Sequence, residues 1–183
     1  METKSSWTFL NLAKKDFEWM FFFIKITIKI KKIMKFMIME YKQLIEEAIK
    51  MLSFSYSPYS HFRVGASLLC QAENGSEKRI FNGCNIENAA FGPSICAERT
   101  AVFKAVSEGF HKFEAICIVG GAEDENKNVE LKEYCPPCGV CRQVLSEFCS
   151  KDFKIILAKS TADYKIFTLG ELLPESFSLS NNH

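Results

Sequence analysis

Two short cysteine motifs constrain this chain more than anything else in it. Cys96-Ala97-Glu98 places a carboxylate two residues after a thiol, and Cys138-Gly139-Val140-Cys141 later supplies two thiols at C-x-x-C spacing. A zinc ion held by three protein ligands keeps a fourth position open, which is the catalytic arrangement, whereas four ligands close the site. A carboxylate beside the open position can carry protons to and from reacting groups. A fold that uses both motifs must therefore bring them to one point. Cys135-Pro136-Pro137-Cys138 overlaps a further C-x-x-C step, so a closed four-cysteine site is the alternative. Cys135 precedes two prolines, which favour extended chain. Cys138 and Cys141, at a helix start, are the preferred partners of Cys96.

The length of 183 residues suits one domain. The chain is 48% hydrophobic with 17 Phe, enough for a core, and its net charge of +1 hides an asymmetry. Residues 1–38 carry 8 Lys against 3 acidic residues, and residues 39–183 carry 15 Lys and Arg against 19 Asp and Glu. The mildly acidic larger part argues against nucleic acid as a partner, because that needs a basic groove or patch. Eight cysteines could mean four disulfides in a secreted chain. Cys70 and Cys117 sit in apolar runs and read as buried free thiols, however, and the tight spacings favour metal. Both features point to a reducing, cytoplasmic setting.

Residues 1–38 read as an extension outside the fold, and 39–183 as the working domain. The apolar run Trp19–Ile24 is far short of the about 20 residues of a membrane span, so no stable span is expected. Ile24–Ile30 alternates apolar and polar residues in the manner of a strand with one wet face. A basic surface-seeking segment, an organelle presequence, and a stretch outside the working protein with Met39 as the true start are the three readings of this extension.

From Met39 the pattern is orderly. Leu44, Ile45, Ala48, Met51 and Leu52 share one helical face, and Ser55–Ser60 breaks that helix. Phe62–Cys70 and Arg79–Cys84 read as strands around a turn at Glu73-Asn74-Gly75. Ile95–Ser107 reads as a helix, Ala115–Val119 as a short strand, and Glu123–Glu133 as a charged loop. Cys138 opens another helix; Lys154–Ala158 and Tyr164–Phe167 are strands, and Leu169–Leu173 is a short helix before Pro174. Strands alternating with helices imply an α/β fold, a mixed sheet with helices packed on it, in a single domain.

Cys96 and Cys138 fall near helix starts, where free N–H groups and partial positive charge favour thiolates. Three thiolates on one zinc leave a net negative charge, and Arg99 and Arg142 are the nearest cations to offset it. Glu98 alone reads as a surface acid in a first helical turn; paired with the C-x-x-C it reads as the proton carrier. His61 is assigned no role, and His111 and His183 read as solvated.

These residues resemble the cytidine deaminases of the short, three-cysteine, homotetrameric class. The resemblance rests on Cys96–Ala101 with Pro137–Gln143, on Ser57–Ala66, on Gly83–Ala89, and on Glu171–Pro174 followed by Phe177, and it covers roughly 40–178. It implies a five-stranded mixed β-sheet sandwiched by helices, one zinc per chain on Cys96, Cys138 and Cys141, and Glu98 as proton shuttle. It further implies that Arg99 hydrogen-bonds ligand sulfur, that Asn85 and Glu87 grip the ribose hydroxyls, that Phe62 packs on the pyrimidine, and that Phe177 reaches in from a neighbouring subunit of a homotetramer with shared sites. Phe91 stands near the substrate where the family usually has Tyr, the loop Gly120–Tyr134 is longer than usual, and residues 1–38 have no counterpart.

The leading expectation is hydrolytic deamination of cytidine and deoxycytidine to uridine and deoxyuridine, a step of pyrimidine salvage that releases ammonia. A deaminase of a cytosine-bearing antibiotic or modified nucleoside ranks behind it, because Asn85 and Glu87 suit ribose. A structural zinc module would leave Glu98 and Asn85-Ile86-Glu87-Asn88 unexplained. A polynucleotide editor ranks last, since the acidic balance offers no basic aromatic groove.

Overall fold

The computed structural model describes residues 25–27, 29–31 and 38–177, and Trp19–Ile24 and His183 lie outside them. Two compact units divide the chain, Met1–Glu40 and Tyr41–His183. In the first, residues 25–27 and 29–31 are helical, which corrects the strand expected over Ile24–Ile30. A helix satisfies its backbone groups within itself, whereas a strand needs a neighbour to pair with, and period-2 alternation over so few residues does not outweigh that. No helix among the described residues is long and apolar enough to cross a membrane.

The second unit is built on one mixed sheet. Its strands are β1 (Phe62–Gln71), β2 (Lys78–Cys84), β3 (Lys112–Ala122), β4 (Lys154–Ala158) and β5 (Tyr164–Thr168), in the spatial order β2-β1-β3-β4-β5. β1 runs antiparallel to both β2 and β3, β3 pairs with β4 in parallel, and β4 with β5 antiparallel. The helices are α1 (38–51), α2 (Ala97–Ser107), α3 (Gly139–Phe148) and the single turn α4 (Leu169–Leu172).

Alternation along the strands assigns the two faces. Ala115, Cys117 and Val119 of β3, with Ile156 and Ala158 of β4, cluster with Tyr41, Leu44, Ile45 and Ala48 of α1. Ile116, Ile118, Ile155 and Leu157 cluster with Ala97, Ala101, Val102 and Ala105 of α2 and with Leu145 of α3. Helices thus cover both faces, as a sheet buried on two sides requires. The buried Ser67 turns its hydroxyl to the Leu44 carbonyl at 2.6 Å, so its polar atom is satisfied within the α1 layer. Cys70 and Cys117 are fully buried free thiols.

β3 is longer than the run Ala115–Val119 that side-chain pattern marks. Gly120, Gly121 and Ala122 are weak strand formers, yet they pair with Val64, Arg63 and Phe62. That extension carries the sheet to the edge of the site. Two glycines set the helix-to-sheet distances. A Cβ on Gly65 would lie 2.1 Å from the Ala48 carbonyl oxygen, and one on Gly83 would lie 2.3 Å from the Ala97 oxygen and 2.5 Å from the Ala101 nitrogen. Backbone cannot yield as a flexible side chain does, so Gly83→Ala should push α2 off the sheet. The expected cost is about 2–3 kcal/mol or more, read as a lowered denaturant midpoint at fixed protein concentration. An unchanged midpoint would show that α2 is not held this close.

Candidate active site

Two helix starts build the metal site. Cys96 is the N-cap of α2 and Cys138 the N-cap of α3, both in extended backbone conformation. The Cys138 sulfur accepts from the Cys141 backbone N–H at 3.4 Å. The Cys96 and Cys138 sulfurs are 3.8 Å apart, those of Cys138 and Cys141 3.4 Å, and all three lie within 4.8 Å of one another. Zinc–sulfur bonds of about 2.3 Å at tetrahedral angles require sulfur separations of about 3.8 Å. The three thiols therefore fit one zinc per chain. Cys135 is not in this group. Burial pushes its thiol up to about 12, although it lines the same cleft.

The charges around the thiols are uneven. Cys96 falls to about 5, chiefly because the Cys141 thiol donates to it and then because the Arg99 guanidinium lies beside it, with Nη2 3.8 Å from the sulfur. Cys141 moves upward, as the donor in that pair and as a buried group. A divalent cation displaces the remaining protons when it binds. Arg99 also donates to the Ser94 carbonyl at 3.2 Å. Arg142, the second candidate, bonds backbone carbonyls. Its Nε donates to the Pro137 carbonyl at 2.8 Å and its Nη1 to the Leu172 carbonyl at 2.9 Å. It ties the turn before α3 to the C-terminal α4.

Glu98 lies in the first turn of α2 and is only 4% exposed. Burial pushes its carboxyl up to about 7, and the neighbouring Cys96 adds to the rise, against a hydrogen bond from its own backbone N–H. A carboxyl poised near neutrality can both take and return a proton.

Asn85 and Glu87 line one cleft of about 360 Å³ together with Cys96, Glu98, Arg99 and Cys138. Ile86 and Cys135 also line it, as do Val64, Ser94, Ile95 and Pro136, to which sequence reasoning assigned no role. Ser94 contributes through its backbone carbonyl to Arg99, and no side-chain pattern announces such a contact. Asn85 follows β2. Its Oδ1 accepts from the Val64 N–H at 2.8 Å and from the Ser55 hydroxyl at 2.5 Å, and its Nδ2 donates to the Phe62 carbonyl at 2.8 Å. Glu87 Oε2 accepts from the Tyr59 and Ser60 N–H groups at 2.9 and 3.2 Å, and its carboxyl is held below the usual range, first by the Ser60 side chain. Both residues thus brace the segment that leads into β1.

The aromatic residues lie further out. Phe62 opens β1 and lines a second cavity of about 200 Å³, which shares Cys135 with the first and is rimmed by Lys132, Glu133 and Tyr134 of the long loop. Phe91 is 74% exposed, with φ of +53° and its ring edge-on to Tyr59 at 6.3 Å. Phe177 is 69% exposed, and its carbonyl accepts from Gln143 Nε2 at 2.7 Å.

Residues 39–157 match the model of the cytidine and deoxycytidylate deaminase zinc-binding region. Cytidine deaminase from Halalkalibacterium halodurans is 44% identical over 140 residues, which cover 76% of this chain and 96% of that protein. A probable cytidine deaminase from Dictyostelium discoideum is 37% identical over 139 residues, 76% of this chain and 84% of its own. The crystal structure of cytidine deaminase from Burkholderia pseudomallei superposes with a TM-score of 0.61 at 37% identity, covering 74% of this chain and 97% of that one. Its five-stranded sheet, its three gathered thiols and these likenesses place the chain in the cytidine and deoxycytidylate deaminase family.

Proposed function

We propose that this chain hydrolyses cytidine and deoxycytidine to uridine and deoxyuridine, with one water consumed and one ammonia released. The observation that carries the reading is a buried carboxyl, Glu98, beside three gathered thiols in a cleft that also holds Asn85 and Glu87. Zinc, which Cys96, Cys138 and Cys141 would hold, would supply a Lewis acid that lowers the pKa of water toward about 7. Glu98 takes one proton from the attacking water and delivers it to N3 of the pyrimidine, then passes the remaining hydroxyl proton to the amine, which leaves as ammonia while C4 becomes a carbonyl. Arg99 offsets thiolate charge. Asn85 and Glu87 pair with the ribose hydroxyls as donor and acceptor. Phe62 packs on the pyrimidine, and Phe91 stands at the rim.

Residues 39–183 constitute the working domain in this reading, and 1–38 stand outside it. The exposed ring of Phe177 covers the pocket of a neighbouring subunit, so the active form is a homotetramer with shared sites. A thiol cluster of this kind suits the reducing cytoplasm, where the reaction serves pyrimidine salvage.

Loss of cytidine absorbance on incubation with the purified full-length chain, alongside a zinc count, tests the activity directly. Full zinc with no turnover would leave a structural zinc module. Glu98→Gln should keep zinc and lose activity by more than the roughly 10²–10⁴-fold typical of one general acid–base group, because it serves several transfers. Near-parental turnover would reject that role. Cys135→Ser should keep about one zinc per chain and most activity, while Cys138→Ser and Cys141→Ser lose both. A zinc-free Cys135→Ser protein would overturn the ligand set. Deleting residues 177–183 should raise KM by about 10–100-fold, the worth of burying one aromatic ring, while zinc stays bound. Light scattering that shows a fully active monomer would reject the shared site.

A further inference from the structure

Phe62 sits between His61 and Arg63, which converge on one carboxylate. Glu123, the first residue after β3, receives His61 Nδ1 on Oε1 at 3.0 Å. Its Oε2 receives Arg63 Nε and Nη2, each at 2.6 Å. The Glu123 side chain is 12% exposed and that of Arg63 is 18%. Both are thus largely withdrawn from solvent, where a charge-assisted contact holds geometry well. Arg63 is itself fixed by a bond from Nη1 to the Leu52 carbonyl at 3.3 Å. The Glu123 N–H donates to the His61 carbonyl at 2.8 Å.

The backbone at this point is one that side chains avoid. His61 has φ of +53°, in the left-handed region, and such a conformation persists only where its surroundings impose it. Here it ends the Ser57–His61 turn, which is closed by the His61 N–H on the Ser57 carbonyl at 3.1 Å, and it turns the chain into β1. The next residue, Phe62, has its carbonyl bound by Asn85 Nδ2 and its N–H bound to Ser60 Oγ at 3.1 Å. The Ser60 N–H is in turn held by Glu87. One carboxylate therefore anchors both flanks of Phe62, and the residue's own backbone groups lead directly to Asn85 and, through Ser60, to Glu87.

We infer that Glu123 is a positioning residue for substrate binding: by holding His61 and Arg63 it sets the placement of the Phe62 ring relative to Asn85 and Glu87. The inference rests on the reading above in which those three residues contact the nucleoside. Glu123 touches no reacting atom, so its effect falls on binding and leaves proton transfer at Glu98 alone. Gln at this position keeps the shape and removes the charge that both neighbours share.

The test is steady-state kinetics on the zinc-loaded full-length enzyme with cytidine. Glu123→Gln should raise KM by about five- to twentyfold, the scale of a small misplacement of a binding group, with kcat within about twofold and zinc content unchanged. Arg63→Gln should do the same. The double variant should be no worse than the worse single one, because both changes break one contact. A loss confined to kcat, a fall in zinc content with unchanged KM, or additive effects in the double variant would assign Glu123 to general stability and overturn the inference. Phe62→Ala separates the two layers. If it raises KM while Glu123→Gln is indistinguishable from wild type, the positioning role fails and the substrate contact stands. If Phe62→Ala leaves KM unchanged, the contact itself fails and the positioning role falls with it.

Discussion

Cys96 and Cys138 lie 42 residues apart, and the site depends on bringing their sulfurs to 3.8 Å. Nothing local does this. α2 and α3 pack on the same face of the sheet, where Ala97, Ala101, Val102 and Leu145 share one core with Ala66, Leu68, Ile116 and Ile155. Small residues on the inner side of α2, opposite Gly83, let that helix sit against β2 at backbone contact distance. Apolar burial supplies the favourable free energy, at about 25 cal/mol per Å². The thiols exploit a geometry that the core has already made. A cation that binds the three of them then adds its own binding free energy to the folded state, since the unfolded chain holds the motifs apart.

The same packing sorts the charges. The start of α3 turns the Cys141 N–H to the Cys138 sulfur, and Arg99 adds a full charge from within the first turn of α2. Glu98 shares that turn but is buried, so desolvation rather than the nearby arginine governs its carboxyl. Two neighbouring residues thus differ in role because one side chain reaches sulfur and a carbonyl while the other faces a cleft. Arg142 shows the limit of proximity in sequence. It lies next to a ligand, yet carbonyls at Pro137 and Leu172 take its guanidinium, and it acts on the route of the chain.

What was legible in the sequence is what local spacing encodes. C-x-x-C at a helix start, a carboxylate two residues after a cysteine, and the apolar stripe of α1 each have a period that survives in one dimension. The mixed five-stranded sheet and its two-sided cover followed from the resemblance and from the alternation of elements, whereas the strand order did not. The ends of β3 were not legible, because Gly120 and Gly121 pair through backbone groups that carry no side-chain signature. The helical residues 25–27 and 29–31 read as a strand for the opposite reason, since a brief alternation of apolar and polar residues is consistent with either state. His61 and Glu123 were passed over because each is an ordinary surface residue until the register Phe62↔Ala122 sets them side by side.

That register also explains how a long charged loop can sit beside the site without loosening it. Loop-closure entropy grows only slowly with length, so extra residues between β3 and α3 cost little if both ends are fixed. At the first end, Glu123 is tied to His61 by backbone and side chain and to Arg63 by an ion pair. Within the loop, Asp124 accepts the Asn126 and Asn128 N–H groups at 2.9 and 2.8 Å, which closes a tight turn around Lys127 at φ of +63°. At the far end, the Tyr134 hydroxyl bonds Asp163, and its ring lies under the ammonium groups of Lys159 and Lys165 at 4.9 and 4.5 Å. Tyr134 is followed at once by Cys135, which lines both cavities, and then by the prolines that lead to Cys138. The loop is therefore tied at one end to the flank of Phe62 in the second cavity, through Glu123, and leads at the other end into the metal-binding turn through Tyr134 and Cys135.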